Sequence, residues 1–110
     1  MVKHIHIGGE DRPVKFGFAA LMNFTEMSGY KLNELDKLGE SMTLTDAINL
    51  IYCGLKNGSR VEKKKFNFVI EDVADWLDES PAAMNDVLEL FAASFSNEEE
   101  GEQKALVRKS

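Results

Sequence analysis

The stretch Ile5 to Leu38, IHIGGEDRPVKFGFAALMNFTEMSGYKLNELDKL, joins two short alternating runs to an almost wholly apolar helical segment. That junction limits what the chain can become. A two-stranded hairpin is marginally stable at best in water, so its apolar face needs a cover. From Val2 to Ile7 the period-2 alternation sets Ile5 and Ile7 on one face and His4 and His6 on the other. A Gly-Gly-Glu-Asp turn follows, in which Gly8 and Gly9 tolerate positive φ. Pro13 lies near the start of the returning segment Arg12 to Phe16, as an edge strand allows. Ile5, Ile7, Val14 and Phe16 must then cover a helix or join another sheet. The next segment predicts a helix from about Phe18 to Ser28, ended by Gly29. Its polar positions, Asn23 and Glu26, fall on one side, which predicts a central helix contacted from more than one direction.

The remaining pattern is helical. Leu32, Leu35 and Leu38 recur at every third position, predicting a helical turn stopped by Gly39. Thr43, with Asp46 three residues on, approximates a capping box for a helix carrying Leu44, Ile48, Ile51, Tyr52 and Leu55 on one stripe. Asn57-Gly58 is expected to end it. Beyond the basic run Arg60 to Lys65, a third helix is expected near Val69, with Val69, Val73, Trp76 and Leu77 as its buried face. Ser80-Pro81 reads as an N-cap and first helical residue for a last helix striped by Met84, Val87, Leu88, Phe91 and Phe95. The expected fold is therefore mainly α (α+β), a small helical domain of about four to five helices with an N-terminal β-hairpin. Residues 1–96 form its single domain, and 97–110, NEEEGEQKALVRKS, read as a mobile charged tail.

With 110 residues the chain can bury a core but not two independent ones. Its net charge of -6 disfavours avid nonspecific nucleic-acid binding, which needs a surplus of Lys and Arg. The single Cys53 forms no internal disulfide, the opening MVKHIHIGGEDR lacks a signal-peptide core, and no run is apolar enough to span a bilayer. These features lead to the expectation of a soluble protein of the cytoplasm.

No set of residues composes a reactive centre. His4 and His6 share a strand face, but a zinc site needs three or four ligands, and no further His or Cys completes the set. Neither a metal nor a cofactor is expected. Cys53, in the run IYCGL, reads as a small hydrophobe with no base nearby in sequence. Glu71-Asp72 suit a helix N-terminus, and Asp75 and Asp78 its polar side. Gly8-Gly9 belong to neither a Walker pattern nor GxGxxG. The basic run followed by Phe66 and Phe68 is the one feature favouring a small helical nucleic-acid-binding regulator, the alternative reading. Met22, Met27, Met42 and Met84 suit either a core or an adaptable partner surface.

In order and spacing, Ile5 to Phe16 (IHIGGEDRPVKF), Gly17 to Gly29 (GFAALMNFTEMSG), Leu50 to Leu55 (LIYCGL) and Ile70 to Asp78 (IEDVADWLD) resemble the tail assembly chaperones of tailed bacteriophages and prophages. The resemblance, to the short form of that family, covers most of the chain. It implies a non-enzymatic assembly factor, absent from the mature virion, that coats the tape measure protein in the cytoplasm of the bacterial host until tail tube subunits polymerise around it. It further implies self-association, and a longer frameshifted product whose added domain recruits the tail tube protein. A client groove built for a helical partner would draw on Phe18, Leu21, Met22 and Met27, with Tyr52 nearby; the competing assignment places all five in the core.

Overall fold

The computed structural model describes residues 2–37 and 42–94. It is mainly α with an N-terminal antiparallel hairpin: β1 (Lys3–Ile7), β2 (Glu10–Val14), α1 (Phe18–Ser28), a 3₁₀ segment (Leu32–Lys37), α2 (Leu44–Val61), α3 (Ile70–Glu79) and α4 over 82–94. The helical turn expected from Leu32, Leu35 and Leu38 is the 3₁₀ segment, while Leu38 and its expected stop Gly39, Phe95 of the last stripe and the tail 97–110 lie outside the described residues.

In the hairpin, Ile7 stands opposite Glu10 and Lys3 opposite Val14. Gly8 (φ 64) and Gly9 (φ 80) close the turn by themselves, as a two-residue hairpin turn requires. Glu10 and Asp11, assigned to the turn from sequence, are instead paired strand residues. The returning strand also ends at Val14 rather than Phe16, because Lys15 N–H leaves the ladder and donates to Gly54 O of α2 at 3.0 Å. Ile5, Ile7, Val14 and Phe16 are buried as the alternation required. The cover they needed is supplied within the chain, since β2 packs on α2.

The central helix is α2 and not α1, which corrects the sequence expectation. Along α2, Ala47, Leu50, Ile51, Cys53, Leu55, Asn57 and Ser59 are buried, and the helix touches α1, β2 and α3. With 18 residues it is long enough to serve three neighbours. Helix α1 has 11 residues and buries only Ala20, Leu21 and Phe24, leaving Phe18, Met22 and Met27 exposed. Leu44, placed on the buried stripe from its spacing, is exposed in the first turn of α2. The predicted cap is present: Asp46 N–H donates to Thr43 Oγ1 at 3.0 Å, and Thr43 N–H to Asp46 Oδ2 at 3.2 Å.

Asn57-Gly58 does not end α2, which continues to Val61. The reason is the hairpin's approach. A Cβ at Gly58 would lie 2.3 Å from Pro13 O, so only glycine lets the β2 backbone lie against the helix there. Asn57 Nδ2 donates to Lys15 O at 3.1 Å and its Oδ1 accepts from Arg60 at 2.7 Å, satisfying a buried amide. Past the C-cap Glu62 the chain leaves the helix through Lys63, whose φ of 57 is left-handed. Lys64 N–H donates to Ser59 O and Lys63 N–H to Arg60 O, the paired bonds of a Schellman ending.

Helix α3 begins with Val69 as N-cap, so Val69 is exposed rather than on the buried face. Asp72 Oδ2 accepts the Val69 N–H at 2.9 Å, and Val73 and Leu77 carry the burial. Ser80 N–H bonds Trp76 O and so closes α3, while Pro81 stands one residue ahead of α4. Ala83, Val87 and Phe91 of α4 are buried, with Met84 and Leu88 partly so. Phe91 meets Phe16 edge-on at 5.3 Å, tying α4 to the end of the hairpin. Among the described residues, no helix is long and apolar enough to cross a membrane.

Candidate interaction surface

Phe18 and Met22 lie four residues apart and therefore on one face of α1. Phe18 is 72% exposed and Met22 57%, unusual values for side chains of that size and polarity. Leu21, 6% exposed, packs between them and the core. With Thr25 and Tyr30 these residues line a shallow groove of about 360 Å³. Two details keep its walls apolar. Thr25 turns its hydroxyl back to Met22 O at 3.0 Å, and Tyr30 lays its ring against Phe24 at 5.9 Å while its hydroxyl donates to Asp46 Oδ2. Gly29 (φ 82) ends α1 and turns the chain so that Tyr30 returns along the helix.

The five residues singled out from sequence do not form one surface. Phe18, Leu21 and Met22 share the groove. Met27 lies nine residues beyond Phe18, about 180° around the helix, with its sulfur 3.5 Å from Cys53 Sγ. Tyr52 belongs to an aromatic cluster with Phe66 at 5.5 Å and Phe68 at 6.2 Å, and is partly buried. Thr25 and Tyr30 were not singled out. Thr25 sits four residues after Leu21, a neighbour legible from helical spacing, but the return of Tyr30 depends on the turn at Gly29.

The other candidates take structural places. His4 Nε2 pairs with Glu62 at 2.8 Å and His6 Nδ1 with Asp11 at 3.0 Å, both at the surface. Among the described residues, no three His, Cys, Asp or Glu side chains converge on a possible metal position. Asp72 caps α3 and Glu71 is exposed beside it. Burial pushes the Cys53 thiol up to about 11, against a smaller opposing pull from Lys56, and burial also raises Tyr52. A neutral, enclosed thiol is a poor nucleophile.

Since folding favours the protonated thiol, its contribution to stability is complete below the ordinary value of 9.0 and is lost as pH rises toward about 11. We expect the urea midpoint to fall across that window. A Cys53→Ala chain should show a shallower fall, the remainder including Tyr52. Equal slopes would contradict the assignment.

Phe66 and Phe68 are inward anchors, meeting edge-on at 4.5 Å, with Phe68 also against Trp76 at 5.0 Å. The Arg12 guanidinium lies 4.2 Å from the Trp76 ring and donates to Ile7 O and Gly8 O. This fastening clamps the turn of the hairpin onto α3. Comparison with known proteins finds no matching family model, no matching curated protein and no matching solved structure.

Proposed function

We propose that this protein is a non-enzymatic tail assembly chaperone of a tailed phage or prophage, which binds the tape measure protein and keeps it soluble during tail morphogenesis. The observation that carries the reading is the exposed apolar face of α1, where Phe18 and Met22 flank the groove floored by Leu21. A long apolar helix offers side chains at i, i+3, i+4 and i+7, and such a groove takes anchors at that spacing. The resemblance of the hairpin, first helix and two later segments supports the same reading. The net charge of -6 would keep many chaperone copies soluble along one client. Action in the bacterial cytoplasm, absence from the mature virion, self-association and a longer frameshifted form that recruits the tail tube protein belong to the same proposal.

The alternative, a small helical nucleic-acid-binding regulator, loses its aromatic support because Phe66 and Phe68 are spent on internal packing. Co-expression with the tape measure protein encoded nearby separates the two readings. The chaperone reading expects a soluble complex with many copies of this chain per client. An insoluble client, together with tight and salt-sensitive DNA binding by the chain alone, would reverse the ranking.

A further inference from the structure

On a different part of the surface, the turn end of the hairpin and the segment after α2 enclose a polar concavity of about 430 Å³. Glu10, Arg12, Ser59, Lys64, Lys65 and Asn67 line it. Three of these are cations and one is an anion. Glu10 is also the only lining residue near Arg12 in charge contact, at 3.7 Å, and Arg12 is otherwise fixed by the carbonyls of Ile7 and Gly8. The side chains of Lys64, Lys65, Ser59 and Asn67 make no hydrogen bond or ion pair with any described residue. Ser59 is 4% exposed, so its unengaged hydroxyl sits at the floor. In a chain with 19 acidic residues against 13 basic ones, two lysines converging on an unengaged hydroxyl and amide stand out.

The backbone makes the same point. Lys63 occupies the left-handed position of the helix ending, where glycine carries no steric penalty. A lysine there keeps a strained residue at the head of the run Lys63 to Lys65, which delivers Lys64 and Lys65 to the concavity.

We infer that this concavity is a binding site for an acidic peptide segment, whose adjacent carboxylates are held by Lys64 and Lys65 and whose backbone or third carboxylate meets Ser59 and Asn67. Carboxylates fit better than the phosphates of a nucleic acid for two reasons. No aromatic face is free at the site for a base, since Phe66 and Phe68 pack inward. The chain as a whole carries a net charge of -6, which penalises a long polyanion more than a short peptide. The site is separate from the α1 groove, sharing none of its residues.

The test titrates the full chain with a fluorescein-labelled peptide of consecutive glutamates and, in parallel, with a labelled oligothymidylate of equal charge. Saturable peptide binding that weakens with salt is expected, and Lys64→Gln/Lys65→Gln should weaken it about tenfold or more, two charge-assisted contacts being lost. The exposed pair Lys3→Gln/Lys31→Gln controls for overall charge and should leave binding nearly unchanged. Circular dichroism establishes that both variants fold. Absent peptide binding, or binding equally weakened by the control pair, overturns the site. Tighter binding of the oligothymidylate through Lys64 and Lys65 overturns the peptide assignment in favour of nucleic acid.

Discussion

Replacing Gly58 by alanine should destabilise this protein by about 3 kcal/mol or more, the cost of overpacking a contact that cannot relax. Helix propensity alone predicts the opposite sign, since alanine inside a helix is favoured over glycine by about 1 kcal/mol. The packing decides the sign. The added Cβ would stand 2.3 Å from Pro13 O, 2.5 Å from Pro13 C and 2.7 Å from Val14 N, all backbone atoms that no rotamer change can move. Relief requires β2 to lift from α2, which would strain the Asn57 bond to Lys15 O and the Lys15 bond to Gly54 O. The melting temperature should fall by more than about 10 °C for a domain of this size. Gly54→Ala meets the Phe16 ring at 2.6 Å instead, a side chain rather than backbone, so its loss should be smaller, though Phe16 is itself buried against Phe91. A Gly58→Ala chain as stable as the parent would show that the hairpin does not rest on α2 at this distance.

Gly58 also shows where sequence reading succeeds and where it fails. The first strand and the existence of the hairpin, the cap at Thr43, the burial of Ile5, Ile7, Val14 and Phe16, and the Val87 and Phe91 positions of α4 were legible, because each follows from alternation, helical period or a local cap. Helix α2 was read too short because Asn57-Gly58 is locally a stop signal, and only the crossing strand explains glycine and a buried amide inside a helix. The assignment of α1 as the central helix failed for a related reason. An apolar circumference is equally what a buried helix and a partner-binding helix display, and periodicity cannot say which neighbours will arrive. The groove residues Phe18, Leu21 and Met22 were legible as large apolar side chains on one helix. Tyr52 was grouped with them from the sequence, yet its ring is engaged by Phe66 and Phe68, whose alternation marks them as anchors without saying which side chain they meet.

The second large effect concerns the exposed side of α1. Phe18→Asp and Met22→Asp remove apolar surface that is already in contact with water, so each should change stability by only about 0.5 kcal/mol. Phe24 on the same helix differs: it is fully buried, and truncation to alanine should cost about 3–5 kcal/mol. In the proposed complex with a client helix, however, burying a Phe or Met anchor contributes about 1.5–3 kcal/mol. Losing both anchors should therefore weaken binding by about two orders of magnitude or more, before the penalty of placing a carboxylate against an apolar helix.

That separation between folding and binding gives the most direct measurement of the central claim. The parent and the Phe18→Asp/Met22→Asp chain are each co-expressed with the proposed client, the tape measure protein, and the soluble fraction of that client and the melting temperature of each purified chain are measured together. If the α1 face holds the client, the melting temperature stays within a few degrees of the parent while the client moves into the pellet with the variant. A client held in solution equally well by both chains would contradict it.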